Sequence, residues 1–431
     1  MTFEEAIDYL YSRLPLFQNQ GTRAYKPGLS GIIAFSDHLG NPHEKFKSIH
    51  VGGTNGKGST SHMLASVLQA AGYKVGLYTS PHLKSFTERI RINGAEVVHA
   101  YVAEFVERNQ TYIEDNKPSF FEVTVAMAFE YFASQAIDIA VVEVGMGGRL
   151  DSTNIIQPLV SVITNVGWDH TQHLGDSLPK IAVEKAGIIK RNTPVVLSEN
   201  PVSEVSEVFV SKANELESEL IFASNNYKIV ERTLTEFGQR VVVENLNYSS
   251  RVEIDLDLAG IYQTDNVKGV LCALDILKKQ NYSIDTPSIL SGLSSVVTST
   301  GLKGRWQKLQ DHPLVICDTA HNLDGMRRTI EQFLSVSARQ KHFVLGFVAD
   351  KDVRSILALF PRSASYYFCQ PSIQRALVVE ELILIADELG LNGSSFKNVN
   401  EALSQAITNA SSHDAIYVGG STFVVADLVQ I

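Results

Sequence analysis

Cysteine is scarce in this chain. The three present, Cys272, Cys317 and Cys369, sit singly in apolar company with no metal-type spacing. That excludes a disulfide scaffold and a zinc cluster, and it suits reduced core thiols and a cytoplasmic location. Dense runs of lysine and arginine are also missing, and the formal net charge is −10. A nucleic-acid or anionic-membrane surface is therefore not expected. No apolar stretch approaches the ~18 residues of a membrane span. The opening segment, MTFEEAIDYLYSRLP, is acidic and lacks the apolar centre of a secretory signal. Repeats and low-complexity tracts are absent too, which removes solenoid and fibrous architectures.

What the chain does have is alternation of apolar strands with amphipathic helices over 431 residues, enough for two or three domains. The pattern predicts an α/β protein, with strands near 46–51, 74–79, 137–144, 160–165 and 193–197. Residues 227–256 alternate in short runs and read as antiparallel strands appended to that sheet. The Ser, Thr and Gly-rich stretch near 297–304 reads as a linker. Beyond it a second α/β set begins, with strands at 314–317, 343–347, 366–369 and 415–418. The expected organisation is a larger domain over 1–296, a linker over 297–304 and a smaller domain over 305–431.

The most telling stretch follows the first apolar run: Gly52-Gly53-Thr54-Asn55-Gly56-Lys57-Gly58-Ser59-Thr60. It breaks a strand and enters a helical pattern at Met63, Leu64, Val67 and Leu68. A glycine loop between strand and helix turns backbone amides inward, and the helix terminus adds partial positive charge. Lys57 can then reach the outer phosphates of a nucleotide. The common nucleotide-loop spacing would put glycine at position 51, where Val51 stands. That departure points away from GTPases and kinases.

Polar residues gather where the other strands end, the edge at which open parallel sheets bind ligands. Ser80 and His82 follow one strand, with Pro81 fixing the turn. Glu143 ends a second strand that is otherwise apolar, where a bare carboxylate is costly to bury. A divalent cation held on phosphates would offset its charge; an ion pair with Arg149 is the alternative. His170 lies past a third strand, as a metal ligand or a structural histidine. Lys185 falls on the helix that Pro179 opens and Gly187 closes, where a lysine is ordinarily solvated. In the second domain Asp318 ends a strand and either meets a ligand or caps the next helix. Arg305 reads as a surface arginine unless it meets phosphates.

Taken together, GTNGKGST, TSPHLKSFTERIRING, EVGMGGRLDSTN, DHTQHLG, EKAGIIK, KGRW and DTAHN resemble the folylpolyglutamate synthase/dihydrofolate synthase family of Mur-type ATP-dependent amide ligases. The resemblance runs over nearly the whole chain, in order. It implies an N-terminal phosphate-loop domain with a mostly parallel sheet and a small antiparallel extension. It also implies a smaller C-terminal Rossmann-like domain, with ATP and substrates between the two. Asn55, Gly56, Lys57, Gly58 and Ser59 would hold the ATP phosphates, and Asn266, Arg305, Asp318, His321 and Asn322 the rest of the nucleotide. Ser80, Glu143 and His170 would ligate Mg²⁺, and Lys185, as a carbamate, would help hold a second ion. Lys57, His170 and Lys185 would be the catalytic residues. Ser80, His82, Ser119, Phe120, Phe121, Glu122, Asp151 and Ser152 would take dihydropteroate or a reduced folate, with the segment around Leu29 closing over it.

Three departures from the family pattern remove no charged or ligating group: Thr319 for a common glycine, Lys303 for a proline, and Gly52 for an alanine. The implied reaction phosphorylates a pteroate or folate carboxylate with ATP, and L-glutamate then displaces the phosphate. Both synthase activities are expected in one chain; a folylpolyglutamate synthase alone is the alternative. Another Mur-type ligase is disfavoured, because the ~50 residues before the loop are few for a UDP-sugar domain. A monomer is expected.

Overall fold

The structure, a computed structural model, describes residues 1–14, 28–236 and 238–431. The chain divides into two compact units: Met1–Asp257 with Gln263–Leu302, and Leu258–Tyr262 with Lys303–Ile431.

The N-terminal unit is built on an eight-stranded sheet. Its strands are β1 (Lys47–Gly52), β2 (Val75–Tyr78), β3 (Ile90–Ile92), β4 (Ala95–Glu96), β5 (Ile139–Glu143), β6 (Val160–Ile163), β7 (Val195–Leu197) and β8 (Leu220–Phe222). They lie in the order β4-β3-β2-β5-β1-β6-β7-β8. At one edge β3 pairs antiparallel with β2 and β4 antiparallel with β3, so β3 alone is reversed; the other pairings are parallel. From central β1 the chain goes first to β2 on one side and later to β6 on the other. This reversal of strand order opens a crevice at the carboxyl ends. Register aligns those ends, because Val51 of β1 pairs with Glu143 of β5 and with Val162 of β6. The glycine loop, the buried glutamate and the segment leading to His170 therefore leave the sheet side by side.

The helix Lys57–Ala70 that follows the loop is buried continuously from Gly58 to Leu68. Its apolar face covers the sheet, and its polar face is bonded to other helices. The Ser66 hydroxyl donates to the Gly292 carbonyl at 2.6 Å, and His62 meets Thr300 at 2.7 Å. This corrects the linker reading of 297–304. Val296–Thr300 is helical and, with the chain up to Leu302, belongs to the N-terminal unit. Small hydroxylated residues are common there because helices approach closely, and their hydroxyls bond across the contact.

The strands over 227–256 are also placed differently from expectation. β9 (Tyr227–Thr235), β10 (Gly238–Asn245) and β11 (Ser250–Leu256) form a separate antiparallel sheet in the order β11-β10-β9. Its alternation buries Val241, Val243 and Ile254 on one face.

In the C-terminal unit six strands form one sheet: β12 (Gln307–Gln310), β13 (Leu314–Cys317), β14 (Lys341–Leu345), β15 (Ser365–Cys369), β16 (Gly393–Phe396) and β17 (Ala415–Gly419). Their order is β12-β13-β17-β14-β15-β16, with β12 antiparallel and the rest parallel. Alternate residues feed two cores. Phe343, Leu345 and Tyr417 pack with Met326 and Phe333, while Val344, Cys317 and Val418 pack with Leu403. Helices thus cover both faces, as a parallel sheet requires. All three cysteines are buried and free. Among the described residues, no helix is long and apolar enough to cross a membrane.

Candidate active site

The phosphate loop owes its shape to two glycines and a neighbouring loop. Gly53 and Gly56 have φ of 140° and 85°. A Cβ at Gly53 would run into the Thr164 hydroxyl, and one at Gly56 into the Asn266 carboxamide. Asn266, on the helix Gln263–Lys279, therefore lies directly against the loop. Its side chain donates to Gln263 at 2.8 Å, and Gln263 donates to the Ser59 hydroxyl at 3.0 Å. On the other flank the Thr164 hydroxyl donates to the Asn55 carbonyl at 2.6 Å. The Asn165 side-chain oxygen accepts from the Asn55 amide at 2.9 Å, and Thr54 is bonded to Gly167. The first helical turn, Lys57 to Ser59, thus presents its amides and dipole from a fixed frame.

Two lysines converge on this loop. Lys57 donates to the Thr54 carbonyl at 3.1 Å, and Lys185 donates to the Gly53 carbonyl at 2.8 Å. Lys185 is buried, which is the reverse of the solvated lysine its helix suggests. Burial, and then the nearby Lys57 charge, push its amine down to about 7, with Asp169 acting in the opposite sense. At neutral pH a large share of Lys185 is an unprotonated amine.

Glu143 is buried at the end of β5, and its Oε2 accepts from the Ser80 amide at 3.1 Å. Arg149, the alternative partner, donates from Nε and Nη2 to Glu184 at 3.2 and 2.8 Å. His170 follows the loop tied to Thr54 and Asn55, and it opens a short helix with φ 49°. Its amide donates to Asp169 at 2.8 Å. No group of three His, Cys, Asp or Glu side chains forms a metal cage among the described residues. The Glu143 carboxylate and the Ser80 hydroxyl suit a hard cation that takes its remaining ligands from phosphate oxygens, and His170 follows the strand two places along the sheet.

Next to this corner lies an aromatic patch. Phe120 is buried against Tyr11 and Phe86, with ring centroids 5.5 and 6.0 Å away. Phe121 packs on Gly145 and lies 6.2 Å from Tyr78. Asp151 is buried beside them; its carboxylate accepts from the Met146 and Thr153 amides, and burial raises its pKa. Asp151 also caps the short helix Ser152–Ile155, which holds Ser152 inside. Ser119 and Glu122 form a capping box on the helix Phe120–Ser134, with bonds of 2.6, 2.8 and 3.2 Å. Leu29 precedes the helix Ser30–His38 and packs on the same core. The chain just before it, residues 15–27, lies outside the described residues.

The C-terminal unit has a polar centre of its own. Asp318 is buried at the end of β13. Its Oδ2 accepts from the Tyr262 hydroxyl at 2.6 Å and the Trp306 amide at 2.7 Å, and its Oδ1 accepts from the Ala320 amide at 2.8 Å. Burial raises its pKa against the lowering by these donors. The helix cap is Asn322, not Asp318: the Asn322 side chain accepts from the Gly325 amide at 2.9 Å. Arg305 donates to the Thr319 hydroxyl, which donates in turn to the Gly304 carbonyl at 3.1 Å. Thr319, the departure from the family glycine, thus orients the arginine. The His321 ring lies 3.0 Å from the Thr319 carbonyl. Sequence reasoning passed over Tyr262, Gln263, Asn165 and Asp169, although the DHTQHLG motif contains Asp169.

Comparison with known proteins identifies the family. Residues 51–274 match the Mur ligase middle domain, and residues 304–422 match the Mur ligase, glutamate ligase domain. The chain is 31% identical to the Escherichia coli dihydrofolate synthase/folylpolyglutamate synthase, over 99% of this chain and 96% of that one. Identity to the Lacticaseibacillus casei folylpolyglutamate synthase is 34%, over 88% and 87%. A Haloferax volcanii probable bifunctional folylpolyglutamate synthase/dihydropteroate synthase is 31% identical, and this chain spans half its length. Among solved structures, Mycobacterium tuberculosis folylpolyglutamate synthase complexed with ADP superposes with a TM-score of 0.87 at 30% identity, covering 99% and 96% of the two chains. E. coli FolC in complex with DHPP and ADP gives 0.83 at 29%, covering 99% and 96%. The chain belongs to the Mur ligase family, in its folylpolyglutamate synthase/dihydrofolate synthase branch.

Proposed function

We propose that this chain joins L-glutamate to the carboxylate of dihydropteroate or of a reduced folate, converting ATP to ADP and phosphate. The convergence of Lys57 and Lys185 on adjacent loop carbonyls, beside the buried Glu143, carries this reading. A free carboxylate does not condense with an amine, because its carbon is weakly electrophilic and its oxygen leaves poorly. Transfer of the γ-phosphoryl group to the carboxylate oxygen gives an acyl phosphate and ADP. The glutamate amine then attacks the carbonyl carbon, loses a proton and expels phosphate. Such a transfer requires alignment and charge neutralisation more than covalent help. Lys57 and the helix terminus supply both at the phosphates.

Ser80, Glu143 and His170 are the residues that would hold Mg²⁺, which when bound neutralises charge on the transferring phosphoryl group. Lys185 is suited to carbamylation. Its neutral amine adds to CO2, loses one proton, and becomes an anion able to share in a second Mg²⁺ site. Asn266, Arg305, Asp318, His321 and Asn322 are assigned to the nucleotide. Phe120, Phe121, Asp151 and Ser152 are assigned to the pterin, with His82 and Leu29 bordering it. Ser119 and Glu122 act there chiefly by fixing the start of the phenylalanine helix. The free cysteines favour a reducing, cytoplasmic setting.

The test is ADP formation with dihydropteroate and L-glutamate supplied together and singly. Turnover that needs both supports the ligase, and ATP consumption with neither refutes it. Replacing dihydropteroate by tetrahydrofolate then separates a bifunctional enzyme from one with a single activity.

A further inference from the structure

Arg89 is a buried arginine whose hydrogen-bond and ring partners among the described residues are uncharged. Only 3% of it is exposed. Its Nε donates to His82 Nδ1 at 2.7 Å, its guanidinium lies 5.3 Å from the centroid of Phe120, and the Tyr78 hydroxyl is close enough to act on its charge. No carboxylate pairs with it among the described residues. A cation removed from water without an anion is costly, yet here it is held by an imidazole, a phenol and an aromatic face.

The direction of the bonds follows from the donor inventory. Arginine Nε always carries hydrogen, so His82 Nδ1 must accept and the neutral ring carries its proton on Nε2. The His82 Nε2–H faces the Tyr11 hydroxyl at 3.3 Å and donates to its oxygen. Tyr11 has then used its oxygen as acceptor and retains its own hydrogen. No described side chain or carbonyl accepts that hydrogen. Tyr11 sits over Phe120, and His82 is two residues past Ser80, whose amide rests on Glu143.

We infer that Arg89, His82 and Tyr11 form a one-way chain of donors that ends at the substrate carboxylate on the pterin side, orienting it for phosphorylation. The inference rests on the ligase reading above and adds to it two residues, Arg89 and Tyr11, that no motif assigned. Tyr11 touches the carboxylate; His82 and Arg89 act through it and are positioning residues. The cation at the buried end polarises both bonds, so the terminal hydroxyl donates more strongly than an isolated tyrosine.

Tyr11→Phe removes the terminal donor and keeps the ring against Phe120. It is expected to raise the KM for dihydropteroate about tenfold and to leave the KM for ATP and for L-glutamate in place. A dihydropteroate carrying a carboxamide instead of the carboxylate should bind the wild type about tenfold more weakly than dihydropteroate, and bind Tyr11→Phe no worse than the wild type. A raised KM for L-glutamate alone would assign the carboxylate to the amino acid and overturn the inference. So would equal weakening of both pterin ligands. Histidine ¹⁵N resonances supply a readout independent of turnover. His82 should show a protonated Nε2 and a bare Nδ1, and Arg89→Met, which removes the donor that fixes this tautomer, should give a mixture of the two tautomers. A mixed tautomer in the wild type overturns the inference while leaving the ligase intact. Failure of the wild type to use dihydropteroate overturns both.

Discussion

Lys185 offers the sharpest quantitative test. An amine held at about 7 is half unprotonated at pH 7, against about one part in 3,000 for a lysine at its ordinary 10.5. CO2 reacts only with the unprotonated form, so this one lysine should carbamylate more than a thousandfold more readily than an ordinary one. Protein incubated with ¹³C-bicarbonate near neutral pH should show one carbamate carbon by NMR, and Lys185→Met should lack it. Lys57→Met should weaken the signal, because removing the neighbouring charge returns the Lys185 amine toward its ordinary range. No carbamate in the wild type, or the same signal in Lys185→Met, would refute the reasoning.

The same shift has a consequence for stability. The folded value lies below the unfolded one, so the unfolded chain binds more protons between about pH 7 and 10.5, and stability must rise with pH across that window. The gap corresponds to on the order of 5 kcal/mol for this fully buried amine. Denaturation of Lys185→Met in CO2-free buffer should show that rise abolished, the variant gaining most over the wild type below pH 7.

Two further substitutions probe the frame of the site. Gly56→Ala forces a Cβ onto Asn266 and a left-handed backbone onto alanine; ADP affinity measured by calorimetry should fall at least tenfold, with a stability loss of about 1–2 kcal/mol. Ser119→Ala removes the cap of the phenylalanine helix; stability should drop by about 1 kcal/mol in thermal unfolding while the KM for dihydropteroate moves less than twofold.

The parts of the fold that were legible in the sequence are those where burial is uniform. The strand ending at Glu143 is apolar throughout because helices cover both faces, and its one carboxylate stood out for that reason. Short or half-exposed strands such as Leu220–Phe222 and Gly393–Phe396 left no comparable pattern. The loop, Glu143 and His170 could be placed because strand ends mark the ligand edge. Lys185 could not be raised above a surface lysine, since nothing local to its helix shows that its outer turn is covered. Asp318 and Tyr262 are 56 residues apart, beyond any local pattern, so the partner of Asp318 was invisible. Hydroxyl-rich composition misled in the opposite direction at Val296–Thr300, where close helix packing, rather than flexibility, selects serine and threonine.

The assignment of Leu258–Tyr262 to the C-terminal unit means that the backbone passes from one unit to the other three times. Recombination that exchanged everything after Leu302 would transplant the sheet and Asp318 but leave Tyr262 behind in the parent gene. Where the recipient has no tyrosine at that position, the hybrid would bury an aspartate short of one of its three donors. Productive shuffling between relatives must therefore carry a short upstream cassette together with the downstream segment. A library crossed at a single junction should yield soluble but nucleotide-impaired chimaeras, and Tyr262 supplied from the matching parent should repair them.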